Sequence, residues 1–408
     1  MAQGVDVRVQ PKWLLLGPAF VAAIAYVDPG NVAANVSAGA QFGFLLVWVI
    51  VAANAMACLV QYLSAKLGLV SGQSLPEAVG NRMRRPTRLA YWLQAELVAM
   101  ATDLAEVVGG AIALYLLFDL PLLTGGVITG AVSLLLLVVK DRRGQQMFER
   151  VITGLLLVIA IGFFTSLFVA PPPADEAAAG LVPMFAGPES VLIAAAMLGA
   201  TVMPHAVYLH SGLARDRHGH PEPGPTRRML LRVTRWDVGI AMVVAGAVNL
   251  SMLLVAATNL QGRDNTDSIE GAHAAVSDTL GPTVALLFAI GLLASGLASS
   301  SVGAYAGAMI MQGLLHVSIS MVARRLITLV PALVILAIGV DPSRALVLSQ
   351  VVLSFGIPFA LIPLVRLTSD RALMGDDTNH GVTTALGWLV AALITVLNVV
   401  LIYLTVKG

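Results

Sequence analysis

Long apolar stretches alternate with short polar connections along the whole chain. Eleven of these stretches approach or exceed the roughly 20 residues that a helix needs to cross the hydrocarbon core of a membrane. The predicted helices lie at residues 13–39, 43–67, 88–117, 120–139, 151–170, 189–213, 236–258, 282–314, 324–340, 343–366 and 383–405. The pattern predicts an all-α polytopic membrane protein with eleven transmembrane helices in a single transmembrane domain, residues 1–408.

Composition supports a chain that resides in lipid. Hydrophobic residues make up 58% and charged residues 12% of the 408 residues, which does not fit a soluble protein. The single cysteine, Cys58, has no partner for a disulfide, and a net charge of +1 argues against nucleic acid as a partner. The first apolar stretch lacks a small-residue cleavage signal, so we expect it to be retained as the first span.

Basic residues fall on one side of the predicted membrane. With the N-terminus in the cytoplasm, 21 of the 24 lysine and arginine residues lie in cytoplasmic segments, and Arg263, Arg344 and Lys407 lie outside. This asymmetry follows the positive-inside rule. We therefore predict a multi-pass protein of the inner, or cytoplasmic, membrane with a cytoplasmic N-terminus and an external C-terminus.

Two of the predicted helices contain residues that interrupt a helix in mid-membrane. The first carries an Asp-Pro-Gly-Asn run at residues 28–31, and the sixth carries a Met-Pro-His run at residues 203–205. Proline removes a backbone donor and clashes with the preceding turn, while glycine adopts conformations that other residues resist. Non-helical backbone persists at membrane depth only where it lines protein or a polar cavity. Each break therefore predicts a functional site.

The two breaks recur at a spacing that predicts an internal repeat. Pro29 and Pro204 are 175 residues apart, and five spans separate the starts of the two broken helices. An odd number of spans inverts the second unit relative to the first, and paired broken helices in inverted halves mark transporters with a mid-membrane site. By analogy with the LeuT-type architecture, we predict inverted repeats at about 13–170 and 189–366, followed by an extra helix at about 383–405.

The first break offers hard oxygen donors and the second a soft sulfur. Asp28 supplies an anionic oxygen, Asn31 an amide oxygen and Met203 a thioether, and unwinding frees backbone carbonyls before each break. Oxygen alone suits Mg²⁺ or Ca²⁺, whereas sulfur adds affinity for first-row transition metals. Because an isolated carboxylate in the bilayer is costly, we expect Asp28 to hold a proton without a cation and to release it when metal binds. These residues predict proton-linked binding of a divalent transition metal.

Three carboxylates lie within the third predicted helix. Spacings of seven and three residues place Glu96, Asp103 and Glu106 on one helical stripe. Arg324 and Arg325, at the start of the ninth predicted helix, are their candidate partners. Two interpretations fit this pattern: a proton route toward the cytoplasm, or a structural network of salt bridges.

Histidines and small residues complete the candidate machinery. His205 is a candidate proton relay at neutral pH, and a hydrogen-bonded core role fits it nearly as well. His218 and His220 are expected to lie in a solvated cytoplasmic loop. The eighth predicted helix has no charged residue, and its serine and glycine residues, among them Ser295, favour close helix packing.

The paired motifs at 28–31 and 203–205 resemble the Nramp family of proton-coupled divalent metal transporters, and the likeness covers essentially the whole chain. The likeness is greatest for the bacterial manganese-transporting members. Divergent magnesium-transporting relatives lack the methionine, so its presence places this chain in the transition-metal group. The resemblance implies that the metal is held by the side chains of Asp28, Asn31 and Met203 and, in particular states, by the backbone carbonyls of Ala25 and Ala200 and the side chain of Gln350. It implies that the proton pathway is formed by Asp28, His205, Asp103, Glu106, Glu96, Arg324 and Arg325.

A sodium-coupled amino-acid or amine transporter of the same architecture is the main alternative, but a buried Asp–Met pair has no purpose there. A membrane metalloenzyme is disfavoured because no His-Glu-x-x-His signature occurs, and a primary pump because no lysine is followed by serine or threonine. We therefore predict a transporter rather than an enzyme. It is expected to be a monomer in the lipid bilayer that imports Mn²⁺ or Fe²⁺ with protons and needs no cofactor.

Overall fold

The computed structural model describes residues 16–263, 268–317 and 319–407. Within these ranges the chain is almost entirely helical and contains no β-strand. The basic residues Arg8 and Lys12 and the predicted start of the first span at Trp13 lie outside the described residues.

Each predicted apolar segment coincides with one helix or with two helices joined at a break. The first half contains α1 (Pro18–Ile24), α2 (Pro29–Phe42), α3 (Val47–Ser71), α4 (Leu75–Gly80), α5 (Arg85–Phe118), α6 (Leu122–Arg143) and α7 (Gln145–Val169). The second half contains α8 (Ala174–Ala179), α9 (Pro188–Thr201), α10 (Pro204–His218), α11 (Pro225–Asn259), α12 (Ile269–Leu280), α13 (Pro282–Leu315), α14 (Met321–Ala337), α15 (Pro342–Thr368), α16 (Arg371–Met374) and α17 (Gly381–Lys407).

Length and hydropathy make the described chain a multi-pass membrane protein. Eight helical segments are long and apolar enough to cross a membrane, and Pro18–Val27 and Leu122–Val138 are shorter apolar helices beside them. The first and sixth predicted helices are each divided in two, as α1 with α2 and as α9 with α10. The count of eleven crossings stays a prediction.

The apolar pattern missed the short helices α4, α8, α12 and α16, which lie in the connections. A sequence signal for α4 was available, since Ser74 and Glu77 form a capping box in which Glu77 accepts the Ser74 N–H at 2.8 Å. The assignment of His218 to a loop was wrong, because it is the last residue of α10 and its side chain is only partly exposed. Helix α10 packs on α3 and α4, and Arg215 near its end pairs with Glu77 of α4.

The two broken helices lie at the centre of the molecule. Residues 21–40 and 193–214 are buried without exception. Helix α2 packs on α11 and α9 packs on α15, while α5 and α13 lie against each other. A Cβ atom on Gly296 of α13 would lie 3.0 Å from Gly110 Cα of α5, so small residues permit this close approach. The packing surrounds both breaks with protein.

Candidate functional site

Both broken helices leave the helical conformation immediately before a proline. Asp28 has an extended backbone, with φ −68° and ψ 168°, between a 3₁₀ turn at Ala25–Val27 and helix α2. Met203 is also extended, with φ −68° and ψ 121°, between α9 and α10. A proline ring pushes the preceding residue out of the helical region. The hard and the soft candidate ligands therefore occupy equivalent positions at the two breaks.

Asn31 gathers oxygen atoms from both broken helices around one point. Its side-chain nitrogen Nδ2 donates to Asp28 Oδ1 at 2.7 Å and to the Ala200 carbonyl at 2.8 Å, and the Ala25 carbonyl lies 3.5 Å away. The backbone N–H of Asn31 also donates to Asp28 Oδ1, at 2.8 Å, and so caps α2. A carboxylate and two helix-terminal carbonyls thus converge, and oxygens of this kind are suitable ligands for a divalent cation.

Two buried oxygen atoms at this junction have no hydrogen-bond partner among the described residues. They are Asp28 Oδ2 and Gln350 Oε1. Gln350 lies against both broken helices, because a Cβ atom on Gly30 would overlap its side chain and a Cβ atom on Gly199 would overlap its carbonyl oxygen. An unpartnered buried oxygen costs free energy unless a ligand satisfies it. The two oxygens therefore mark the junction as a candidate cation site.

The second break reaches the first through Thr201. Its hydroxyl lies 3.5 Å from Asn31 Oδ1 and donates to the Met197 carbonyl at 2.7 Å. Met203 follows two residues later and is completely buried. The structure therefore joins four of the expected ligand positions by hydrogen bonds, namely Asp28, Asn31, Ala25 and Ala200. Met203 lies at the second break itself, and Gln350 packs against Gly30 and Gly199 beside the two breaks.

Side chains from distant helices satisfy the carbonyl groups that the first break releases. Asn249 Nδ2 of α11 donates to the Tyr26 carbonyl at 2.7 Å, and Ser295 of α13 donates to the Val27 carbonyl at 2.5 Å. Asn35 Nδ2 donates in turn to Asn249 Oδ1 at 3.0 Å. Sequence reasoning missed Asn249 and assigned Ser295 to packing alone. An asparagine inside an apolar span was the available signal.

A second network of buried polar groups links the first break to α3 and α10. Gln61 Nε2 donates to the Tyr26 hydroxyl, and Gln61 Oε1 lies 2.6 Å from His210 Nδ1. Because an amide oxygen only accepts, Nδ1 of His210 carries the proton. Sequence reasoning missed this network, since its members are scattered along the chain.

The carboxylates of α5 fall into different environments. Arg325 pairs with Asp103 at 2.6 Å, and both side chains are buried. Arg324 pairs with Glu96 at 2.8 Å, where the Glu96 side chain is 14% exposed. Glu106 forms no salt bridge with a described residue, and its Oε2 atom has no hydrogen-bond partner among them. Of the three acids, Glu106 is therefore the one that a structural salt-bridge network does not explain.

His205 lies beside α5 with one ring nitrogen available. Its Nδ1 atom is 3.2 Å from the Thr102 hydroxyl, which itself donates to the Val98 carbonyl at 3.1 Å. Nδ1 of His205 is therefore the donor, and Nε2, which has no partner among the described residues, carries the lone pair. Helix α5 reaches the first break at Gly109, where a Cβ atom would overlap Pro29. No hydrogen-bond chain among the described residues connects Asp28 to the α5 acids.

Residues 19–404 match the family model described as natural resistance-associated macrophage protein-like, or Nramp. The chain belongs to the Nramp family. It is 72% identical over 408 residues to the divalent metal cation transporter MntH of Mycobacterium tuberculosis strain H37Rv, with 100% of this chain and 95% of the relative covered. It is 48% identical over 389 residues to MntH of Bacillus subtilis strain 168, with 95% of this chain and 91% of the relative covered.

Solved structures agree with this assignment. A crystal structure of the manganese transporter of Eremococcus coleocola is similar to this Nramp chain with a TM-score of 0.85 and 31% identity, covering 98% of this chain and 88% of the other. A more distant likeness, to the nucleobase-cation-symport-1 family transporter MHP1, has a TM-score of 0.61 and 16% identity over 95% of this chain and concerns the fold alone.

The family and the fold class predicted from sequence are thereby confirmed. This Nramp chain is an all-α membrane transporter of LeuT type and not an enzyme. The repeat boundaries and the roles of individual site residues stay predictions.

Proposed function

We propose that this Nramp protein imports Mn²⁺ and Fe²⁺ together with protons across the cytoplasmic membrane by alternating access. The observation that carries the proposal is the cluster at the two breaks, where the Asp28 carboxylate and the Ala25 and Ala200 carbonyls surround the Asn31 amide. The related proteins named divalent metal cation transporter and manganese transporter support the same class of substrate.

The Asn31 amide suits the change between the metal-free and metal-bound states. In the structure its NH₂ group donates to the oxygens that would face the ion. Rotation of the amide by half a turn exchanges Nδ2 for Oδ1, which converts the donor into another oxygen ligand. Met203 then supplies the soft ligand that favours manganese and iron over calcium and magnesium. Gln350 is a further oxygen ligand in some states of the cycle.

Proton coupling follows from the chemistry of Asp28. A carboxylate buried in the membrane without a cation is costly, so it holds a proton, and a metal ligand must lose that proton when the ion binds. His205 Nε2 is a lone-pair acceptor for the released proton, and Asp103 and Glu106 continue the route along α5. Arg325 and Arg324 set the charge along this route, with Glu96 at its outer end.

Orientation and oligomeric state belong to the same proposal. The distribution of basic residues supports a cytoplasmic N-terminus and an external C-terminus. Both broken helices are surrounded by helices of the same chain, which supports a monomer in the bilayer as the functional unit.

The sodium-coupled amino-acid transporter is not favoured. The fold is similar to that of MhsT in complex with L-phenylalanine, with a TM-score of 0.58, but at 14% identity this concerns the fold alone. In such transporters a half-helix N-terminus attracts the substrate carboxylate. Here the Asp28 carboxylate occupies that N-terminus and would repel a second anion.

Uptake into proteoliposomes tests the proposal. Wild-type protein should take up Mn²⁺, with Fe²⁺ and Cd²⁺ as competitors and Mg²⁺ without effect, and an inward proton gradient should accelerate uptake. Asp28→Ala should reduce Mn²⁺ uptake to the level of empty liposomes, because the anionic ligand is lost, and Asn31→Ala should do the same. Asp175→Ala, which removes an exposed carboxylate of α8, is the control and should transport normally. Wild-type rates in well-folded Asp28→Ala protein would refute the proposed site.

A further inference from the structure

A cavity of about 610 Å³ lies away from the metal junction, between the segment that follows α4, the end of α15 and the start of α17. Its lining combines two arginines, Arg82 and Arg366, with the carboxylate of Asp370, the indole of Trp388 and apolar side chains such as Ile362. The proposed transport cycle uses none of these residues.

The charges in the cavity favour an anion. Arg82 and Arg366 are exposed, and neither forms a salt bridge with a described residue. Arg82 donates one hydrogen bond to the Ala78 carbonyl, at 2.8 Å, which leaves most of its guanidinium donors free. The Asp370 carboxylate accepts the Ala372 N–H at 2.9 Å and so caps α16. Two guanidinium groups therefore face one partly engaged carboxylate, and the excess is one positive charge.

The polar and apolar parts of the cavity are separated along the axis of α15. Arg366 lies in the last turn of α15, and Ile362, four residues earlier, lies about 6 Å deeper along the helix. Trp388 lies in the second turn of α17 and is 41% exposed, which fits the position of tryptophan at membrane interfaces. The cavity thus has a cationic end at the interface and an apolar wall that points into the membrane.

We propose that this cavity binds an anionic phospholipid, with the lipid phosphate between Arg82 and Arg366 and an acyl chain along Ile362 and Trp388. Basic pockets between helices at the cytoplasmic face hold such headgroups, and this cavity lies on the side that the basic residues assign to the cytoplasm. The lipid would join the segment after α4 to α15, the helix that also carries Gln350 at the metal junction. An anionic lipid would therefore stabilise one arrangement of α15 relative to α4.

Lipid binding to the purified full chain tests this proposal. Native mass spectrometry and thermal unfolding in detergent should show that phosphatidylglycerol binds and raises the Tm, whereas phosphatidylcholine does so much less. Loss of each arginine near an anionic headgroup should weaken binding about 5-fold, so Arg82→Gln/Arg366→Gln should weaken it on the order of 25-fold. Arg228→Gln/Arg232→Gln removes two exposed arginines of α11 on the same predicted side of the membrane. This control should bind phosphatidylglycerol like the wild type.

Two further measurements distinguish a bound lipid from a free anion and locate its acyl chain. Inorganic phosphate should not raise the Tm, and equal stabilisation by phosphate would overturn the proposal in favour of a free-anion site. Phosphatidylglycerol with a photoactivatable acyl chain should label wild-type protein within residues 359–390, a result that does not depend on how the variants fold. Labelling elsewhere, or an equal loss of lipid binding in the control variant, would show that the cavity is not the site.

Discussion

The two carboxylate oxygens of Asp28 have different hydrogen-bonding environments. Oδ1 accepts both hydrogen bonds from Asn31, at 2.7 and 2.8 Å, while Oδ2 has no partner among the described residues. The first oxygen caps α2, where the positive end of the helix dipole stabilises a negative charge. The second oxygen is the one that we propose binds a cation. The break therefore holds the carboxylate in place without using all of its capacity to accept.

Met203 should determine which divalent ions compete for the site. Met203→Leu keeps most of the buried volume, so we expect less than about 1.5 kcal/mol loss of stability, yet it removes the sulfur. The preference for Mn²⁺ over Ca²⁺ should fall on the order of 10-fold, equivalent to about 1.4 kcal/mol, because the bias against hard ions is lost. Competition of Ca²⁺ with Mn²⁺ uptake measures this change.

The matched control is Met197→Leu, since Met197 is also completely buried and lies in α9, before the second break. It should leave the Ca²⁺ competition unchanged. If calcium remains excluded from the Met203→Leu protein as it is from the wild type, the sulfur does not determine selectivity.

At the scale of helices, the breaks depend on side chains far away in the sequence. Asn249 reaches the Tyr26 carbonyl across 223 residues, and Ser295 reaches the Val27 carbonyl across 268. Proline and its neighbours indicated from sequence where each helix breaks, because that constraint is local. The partners of the released carbonyls were not predictable in this way. Their positions follow from helix packing, which a single sequence does not specify.

Removal of Asn249 should loosen the first break. Asn249→Ala leaves the Tyr26 carbonyl without its donor, so stability should fall by about 1–3 kcal/mol. Because that carbonyl is next to the candidate ligand Ala25, Mn²⁺ affinity should also fall, by about 10- to 100-fold as for other residues that orient metal ligands. Thermal unfolding and calorimetric titration with Mn²⁺ measure the two effects.

Asn398 offers a closely matched comparison. It is also buried, and it donates to a helix carbonyl, that of Ser354, at 2.8 Å, but it forms no hydrogen bond with the described residues of either break. Asn398→Ala should lower stability to a similar extent and leave Mn²⁺ affinity unchanged. Equal losses of Mn²⁺ affinity in the two variants would mean that Asn249 acts through general stability and not through the break.

At the scale of the whole molecule, the acids of α5 join that helix to α13 and α14. Arg325 bonds Asp103, Ser133 and Ser300 and is completely buried, so it serves the packing of four helices at once. Glu106 faces α13 at Gly303, where a Cβ atom would lie 2.8 Å from Glu106 Oε1. The glycine leaves room for this carboxylate. Of the three acids on the helical stripe predicted from sequence, Glu96 and Asp103 thus pair with arginines, and Glu106 forms no salt bridge with a described residue.

The different environments of Asp103 and Glu106 allow the proposed proton route to be tested. Glu106→Gln removes a titratable group and breaks no salt bridge among the described residues. The Tm and Mn²⁺ binding should therefore stay near wild type, while the acceleration of Mn²⁺ uptake by an inward proton gradient weakens.

Asp103→Asn should weaken the acceleration of Mn²⁺ uptake by a proton gradient and also lower stability, by about 3–5 kcal/mol, because it leaves Arg325 buried and unpaired. Parallel measurement of Mn²⁺ uptake, proton uptake and Tm distinguishes the outcomes, with Asp377→Asn, which removes the partner of Arg227 away from α5, as the control for a lost arginine pair. Normal proton flux in Glu106→Gln and Asp103→Asn liposomes that take up Mn²⁺ normally would exclude the route. A joint fall of Tm, Mn²⁺ uptake and proton uptake in Glu106→Gln would instead assign the whole stripe to structure.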